Sequence, residues 1–332
     1  MTDEAGPTLA SLGEGSLGVW PHRQALQVCT RHVIQRLVQE GTWQVVFRGV
    51  FADGGYVLTA EQRALAAVLA VGGTTDDCDA VPRVVACGRD AARVWELPLI
   101  DDDDPATGAA EHLLHDVHTM SGLGRRRGPM NQQPRRTLTP HRLDLAPGDV
   151  VRRESGLWVT TPLRTAWDTA RLLSHEGLAC LLDAGLHDAL FTPDELLALT
   201  VRRAGVPGAQ RFRAAVLVAD GRAEAPTETL ARLLLRPHLP GLEPQVKVVD
   251  RFGRVVARFD LGDEEVKLAV DMDGKRGHAG TAMVAKDRQR DRRTESFGWW
   301  TERGTWYDVR RRQDDFVGRV VRRHGQLLRP AA

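Results

Sequence analysis

Residues 254–274 read RVVARFDLGDEEVKLAVDMDG. The stretch splits into two neighbouring strands, RVVARFDLGD and EEVKLAVDMDG, and the second alternates. Val266, Leu268 and Val270 fall on one face, and Lys267, Ala269, Asp271 and Asp273 on the other. Asp271 and Asp273 are therefore expected to project the same way from the end of a strand, with Asp260 on the strand before it. Working outward, TETLARLLLRPHL reads as a helix capped by Thr227 with Glu228 in its first turn, and GLEPQVKVVD as a strand. Downstream, TAMVAKDRQRDRRTESFG reads as a polar helix, WWTERGTWYDVR as a fourth strand and DDFVGRVVRRHGQLL as a closing helix. The expected order is α-β-β-β-α-β-α.

That order gathers Glu228, Asp260, Asp271 and Asp273 at one end of a sheet. Unpaired carboxylates at such spacing repel one another and hold their protons more tightly. A hard divalent cation relieves the conflict, and Mg²⁺ suits one or two carboxylates plus waters and a phosphate. The competing arrangement is a set of surface acids paired with Lys267, Arg258 and Lys275.

The whole chain sets the frame. Its 332 residues are long for one domain, and 42% of them are hydrophobic, so a sizeable core is available. The net charge of +1 names no partner. From Asp271 onward, however, 15 Lys and Arg face 9 Asp and Glu, and a local cationic surface attracts phosphate backbones. Cys29, Cys78, Cys87 and Cys180 form no C-x-x-C pair, which argues against a disulfide framework or a zinc site and points to the cytoplasm. No apolar run approaches the ~18 residues of a membrane helix. Residues 1–18 are acidic and glycine-rich, and a loose tail is expected there rather than a signal peptide.

The first ordered unit is expected over 19–58. HRQALQ is a short helix, and Thr30 is placed to cap the helix RHVIQRLVQEG, which carries Val33, Ile34, Leu37 and Val38 on one face and stops at Gly41. TWQVVFRGVFA follows as a strand, a turn at Gly49 and a return strand. Helix, turn, helix and hairpin is the order of a winged helix, whose second helix would present Arg31, His32, Gln35 and Arg36 to DNA. The alternative is a small α+β module without DNA contact.

A mixed α/β region is expected over 59–220. It contains a helix after Thr59, a helix within ACGRDAARVWELPLI, an acidic loop around 100–111, and a strand in EHLLHDVHTM. His112, His115 and His118 lie on that strand, and His115 faces away from the other two, so they do not converge on one ion. The basic loop GRRRGPMNQQPRR follows. Next come a short strand pair, a helix after Pro162, and two further helices, the second capped by Thr192 with Pro193 and Glu195 as its capping-box signature. A domain boundary is expected at 219–226, leaving 221–328 as the last domain.

The segment AEAPTETLARLLLRPHLPGLEPQVKVVDRFGRVVARFDLGDEEVKLAVDMDGKRGH, together with KDRQRDRRTESFGWW, resembles the Vsr-like (very-short-patch-repair endonuclease-like) branch of the PD-(D/E)XK nuclease superfamily. The N-terminal region, with LAPGDVVRR and GLWVTTPLRTAWDTA, resembles the winged-helix architecture of AbiEi-type antitoxins. The fold class expected is α/β (α+β overall): a winged-helix-like region followed by a restriction-endonuclease-like αβββαβ domain. The resemblance implies a Mg²⁺- or Mn²⁺-dependent endonuclease that hydrolyses DNA phosphodiester bonds. Asp260 would stand for the first aspartate, Asp271 for the acidic position of the second motif, and Glu228 for the helix glutamate. Asp260, Asp271 and Asp273 would hold the metal. The superfamily's lysine position is Asp273 here, and Lys275, His278 or Lys286 would supply the missing charge or base. Arg276, Arg288 and Arg292 would grip the DNA backbone. The alternative is an antitoxin-like or transcriptional DNA-binding regulator on a catalytically silent nuclease fold.

Overall fold

A computed structural model describes residues 9–75, 82–101, 114–119, 137–273 and 294–328. The chain is mixed α/β and divides into two compact units, 1–174 and 175–332. The division falls at Ser174/His175 and not at 219–226, because the helices that follow it pack onto the C-terminal helices of their own unit.

In the first unit, strand β1 (Val19–Pro21) precedes helices α1 (His22–Val28) and α2 (Arg31–Gln39) and the hairpin β2 (Trp43–Phe47) and β3 (Val50–Asp53). Thr30 caps α2 by accepting the Val33 N–H, and Gly49 makes the hairpin turn at φ +77°. The sequence reading missed β1, which pairs with β3 to make a three-stranded sheet in the order β1-β3-β2. Trp20 on β1 packs edge-on against Trp43, with centroids 5.0 Å apart. Leu12 is buried in the same cluster, so the part of the expected loose tail from Leu9 onward is ordered, and residues 1–8 lie outside the described residues.

Helix α3 (Ala60–Ala70) begins at a Thr59–Gln62 capping box and buries Ala64 through Leu69 without a break. A helix that is apolar all round must be surrounded. It is, by the first sheet and by a second of five strands: β4 (Val84–Ala86), β5 (Leu114–Thr119), β6 (Thr137–His141), β7 (Val150–Arg152) and β8 (Trp158–Thr160), in the order β6-β5-β4-β8-β7. Helices α4 (Gly88–Val94) and α5 (Pro162–Thr169) complete the unit. His115 is wholly buried, hydrogen-bonded to Asp90 at 2.8 Å, and the Leu143 N–H donates to His118 at 3.0 Å. The two imidazoles lie on opposite faces of β5, and both are buried because the strand is covered on both sides. His112, Cys78, the acidic loop over 102–111 and GRRRGPMNQQPRR lie outside the described residues.

In the second unit, α6 (His175–His187), α7 (Pro193–Arg202) and α8 (Ala209–Val218) lead into α9 (Pro226–Leu235). Thr192 and Glu195 form the expected capping box. The four-stranded sheet that follows has β9 (Glu243–Val249), β10 (Val255–Asp263) and β11 (Leu268–Asp273) antiparallel in turn, with β12 (Trp300–Thr305) parallel to β11. Helices α10 (Trp306–Arg311) and α11 (Gln313–Leu327) close the chain. The fourth strand is therefore shorter than WWTERGTWYDVR, because Thr305 caps a helix with Asp308 as its partner.

Two local expectations are corrected. Thr227 is not the cap of α9: the helix starts at Pro226, Ala225 occupies the cap position, and Thr227 is buried within the first turn. Lys267 is not on a strand face: it sits in the β10–β11 turn at φ +57°, and β11 begins one residue later. Residues 268–272 are all buried, so β11 is covered on both sides, and the face carrying Asp271 is interior.

Helix α9 is fixed by a buried ion pair. Asp183 on α6 accepts from Arg232 Nη2 and from Thr229 Oγ1, both at 2.7 Å, and from the Asp220 N–H at 2.6 Å. Arg232 Nη1 also donates to the Val218 carbonyl at 2.7 Å. Burial raises the Asp183 pKa, with Arg232 pulling against it. Replacing Asp183 by alanine strands a buried guanidinium, and urea unfolding is expected to show a loss of about 3–5 kcal/mol. Asp183→Leu with Arg232→Met should recover most of that loss. A single mutant within about 1 kcal/mol of wild type would mean that the pair does not hold α9.

Candidate functional site

The register of the second sheet lines up one residue from each strand. Val246 pairs with Phe259 and Pro244 with Leu261, which puts Gln245 beside Asp260. Leu261 pairs with Val270, so the next step sets Asp260 across from Asp271. Asp271 in turn is the partner of Arg303 on β12. The row across the sheet reads Gln245, Asp260, Asp271, Arg303.

The hydrogen bonds along this row depart from a plain ladder. The Asp260 N–H donates to Asp271 Oδ1 at 3.3 Å, and the Met272 N–H donates to Asp260 Oδ2 at 2.7 Å. Each carboxylate takes an amide of the opposite strand, where a carbonyl is the usual acceptor. These bonds fix both carboxylates in place.

Glu228 approaches from the first turn of α9. Its Oε2 accepts from the Glu224 N–H at 2.9 Å and from Gln245 Nε2 at 3.0 Å. Burial, and then the charge of Asp260, push its pKa up to about 7. Gln245 holds this position at φ +57°, a region that costs a non-glycine residue about 1–3 kcal/mol. Its Oε1 is buried and has no hydrogen-bond partner among the described residues. Strain and an orphan acceptor at one residue make Gln245 a candidate site residue. Nothing in the sequence pattern singled out Gln245, since a glutamine on a half-buried strand is unremarkable until its neighbours are known.

The remaining expected site residues divide. Asp273, half exposed, is ion-paired with Arg303 at 3.3 Å. Lys267 donates to the Phe297 carbonyl at 3.0 Å, and Arg258 pairs with Glu224 at 2.7 Å, so neither neutralises the carboxylate row. Lys275, Arg276, His278, Lys286, Arg288 and Arg292 lie outside the described residues. In the first unit, Arg31, His32, Gln35 and Arg36 all lie on the exposed face of α2, opposite buried Ile34.

The donor set bears on the expected metal. Among the described residues, no three His, Cys, Asp or Glu side chains form a metal-binding group. Three carboxylates on one ion are therefore not assembled by Asp260, Asp271 and Asp273, and Asp273 is drawn to Arg303 instead. Two opposed aspartates and an unpartnered amide oxygen remain. They are hard oxygen donors, and they fit an ion such as Mg²⁺ that takes one or two carboxylates and keeps its waters.

No protein-family model matches the chain. It is similar to two proteins of Mycobacterium tuberculosis, uncharacterized protein MT2308 of strain CDC 1551 / Oshkosh and uncharacterized protein Rv2248 of strain ATCC 25618 / H37Rv. Each is 30% identical over 176 residues. The match spans 53% of this chain and 65% of each relative.

The raised pKa of Glu228 gives a stability signature. A carboxyl that holds its proton more tightly when folded stabilises the fold while it is protonated. As pH rises from about 4.5 to about 7, the unfolded chain releases this proton while the folded chain keeps it, so stability falls by up to about 3 kcal/mol. Glu228→Gln should lack that fall. Urea midpoints of both proteins across this window, with EDTA present, test it. Parallel curves would mean that Glu228 titrates as an ordinary surface acid.

Proposed function

We propose that residues 175–332 act as a divalent-cation-dependent phosphodiesterase on DNA, and that the helix–helix–hairpin of the first unit contacts DNA through α2. The observation that carries this reading is the opposed pair Asp260–Asp271, held by cross-strand amides beside Glu228. A folded chain gains little from three acids at one point of a sheet, and burial together with the charge of Asp260 raises the pKa of Glu228. The resemblance to the Vsr-like branch of the PD-(D/E)XK nucleases assigns these positions to the same chemistry. The α-β-β-β order, with β12 parallel to β11, agrees with that fold.

In this reading Asp260 and Asp271 hold the cation, and the Gln245 amide oxygen faces it. When bound, the ion would supply a more acidic water and offset the charge that builds on the phosphate. The protein's own groups would do the rest. The Asp260 and Met272 amides keep both carboxylates in place. Glu228, with a pKa of about 7, exchanges a proton near neutrality.

One observation favours a second reading. Asp273 occupies the position that the resemblance assigns to lysine, and its partner Arg303 cannot act as a base. A silent nuclease fold serving a DNA-binding regulator would have this composition, with the exposed row Arg31, His32, Gln35 and Arg36 carrying the function.

Incubation with supercoiled plasmid and Mg²⁺ or Mn²⁺ separates the two. The hydrolase reading expects nicking or cutting that EDTA stops and that falls at least about a hundredfold in Asp260→Ala and in Asp271→Ala. Intact plasmid in every lane, with DNA binding that fails in Arg31→Ala with Arg36→Ala, would establish the regulator.

A further inference from the structure

We propose that Arg303 binds a DNA phosphate beside the Asp260–Asp271 pair and supplies the positive charge that the D-x-D pattern lacks. Only the nature of the ligand rests on the reading above. The placement of Arg303 comes from the sheet itself.

Arg303 is the register partner of Asp271 on the adjacent parallel strand, at the end of the row that holds Gln245 and Asp260. Its backbone is held tightly. Its carbonyl accepts from Arg319 Nη2 at 2.7 Å. The next residue, Gly304, has no room for a side chain: a Cβ there would lie 2.7 Å from the Phe316 ring and 2.8 Å from Met272 Sδ. Strand β12 therefore lies close against β11, and Arg303 is set beside the carboxylates by packing. Its side chain is about one-third exposed and reaches Asp273 Oδ1 at 3.3 Å. The guanidinium thus stands next to the residue that replaces the expected lysine.

A phosphodiester brought to Asp260, Asp271, Asp273 and Glu228 adds a further negative charge to an acidic site. A single cation shared with waters leaves that site net negative, so a fixed protein cation lowers the cost of bringing the phosphate in. Guanidinium stays charged at every working pH and can hold two phosphate oxygens at once. It cannot serve as a base, so the proton-exchanging role falls to Glu228. Lys275, His278 and Lys286, the candidates taken from sequence, lie outside the described residues.

The test is the salt dependence of DNA affinity, which does not require cleavage. A short fluorescein-labelled duplex is titrated with the full chain in Ca²⁺ over a range of KCl concentrations. Arg303→Gln is expected to reduce the slope of log affinity against log salt by about one, the signature of one lost phosphate contact. Arg303→Lys should keep the slope but bind about tenfold more weakly, because an ammonium cannot make the paired contact. An unchanged slope in Arg303→Gln overturns the proposal, and so does unchanged affinity in Arg303→Lys should the glutamine variant fail to fold. A reduced slope in a chain that cuts no DNA with Mg²⁺ keeps Arg303 as a phosphate ligand while the hydrolase reading falls. An unchanged slope in a chain that does cut removes Arg303 alone. Wild-type affinity that ignores salt removes both.

Discussion

The Asp183–Arg232 pair is the constraint on which the second unit depends. Both groups are almost wholly buried, and their hydrogen bonds tie together α6, α9, and the carbonyl and amide at 218 and 220. Apolar side chains of similar size could pack there at comparable cost. They would tolerate small rotations of α9, whereas the ion pair does not. That difference matters because α9 carries Glu228 one turn before Arg232, and Glu228 must meet Gln245 at 3.0 Å. The pair converts helix packing into the placement of a carboxylate.

The carboxylate row shows the opposite arrangement, in which local rules are broken together. Asp260 and Asp271 take amides from each other's strands, Gln245 sits at positive φ with a buried orphan oxygen, and Glu228 is pushed to about 7. The positive φ and the raised Glu228 pKa each cost stability on their own, and their concentration across one row of one sheet is what makes the row a candidate site.

The first unit contains a comparable polar layer inside its fold. Burial works against ionised Asp116, yet the hydrogen bond from His141 at 2.7 Å and the charge of Arg89 hold its pKa below the usual range. Asp168 is pushed up to about 6 by burial despite Arg164 at 2.9 Å. These groups join α4, α5, β5 and β6 across the five-stranded sheet. The charge they bury explains why a unit with short strands needs α3 to be enclosed on every side: that helix provides the apolar core which the polar layer does not.

Much of this architecture follows from the chain alone. Caps and turns are local, so Thr30, Thr59, Thr192, Gly49, and the helix and three strands that begin at 226 could be read from neighbouring residues. The polar helix expected after them lies mostly outside the described residues, and α10 (Trp306–Arg311) falls where a strand was expected. The sequence also marked Glu228, Asp260, Asp271 and Asp273 as a set, of which Asp273 is ion-paired with Arg303. It did not contain the three-residue strand β1, whose pairing with β3 depends on residues some thirty positions away, nor the break between units at Ser174, which reflects where helices pack. It placed Asp271 at the end of a strand but did not show that both sides of the strand are covered and bury that position. Above all it could not align Gln245 and Arg303 with the two aspartates, because register between strands is settled by side-chain packing and turn geometry rather than by any pattern within a strand. The sequence determined which acids the site would contain; the sheet decided which amide and which cation would stand beside them.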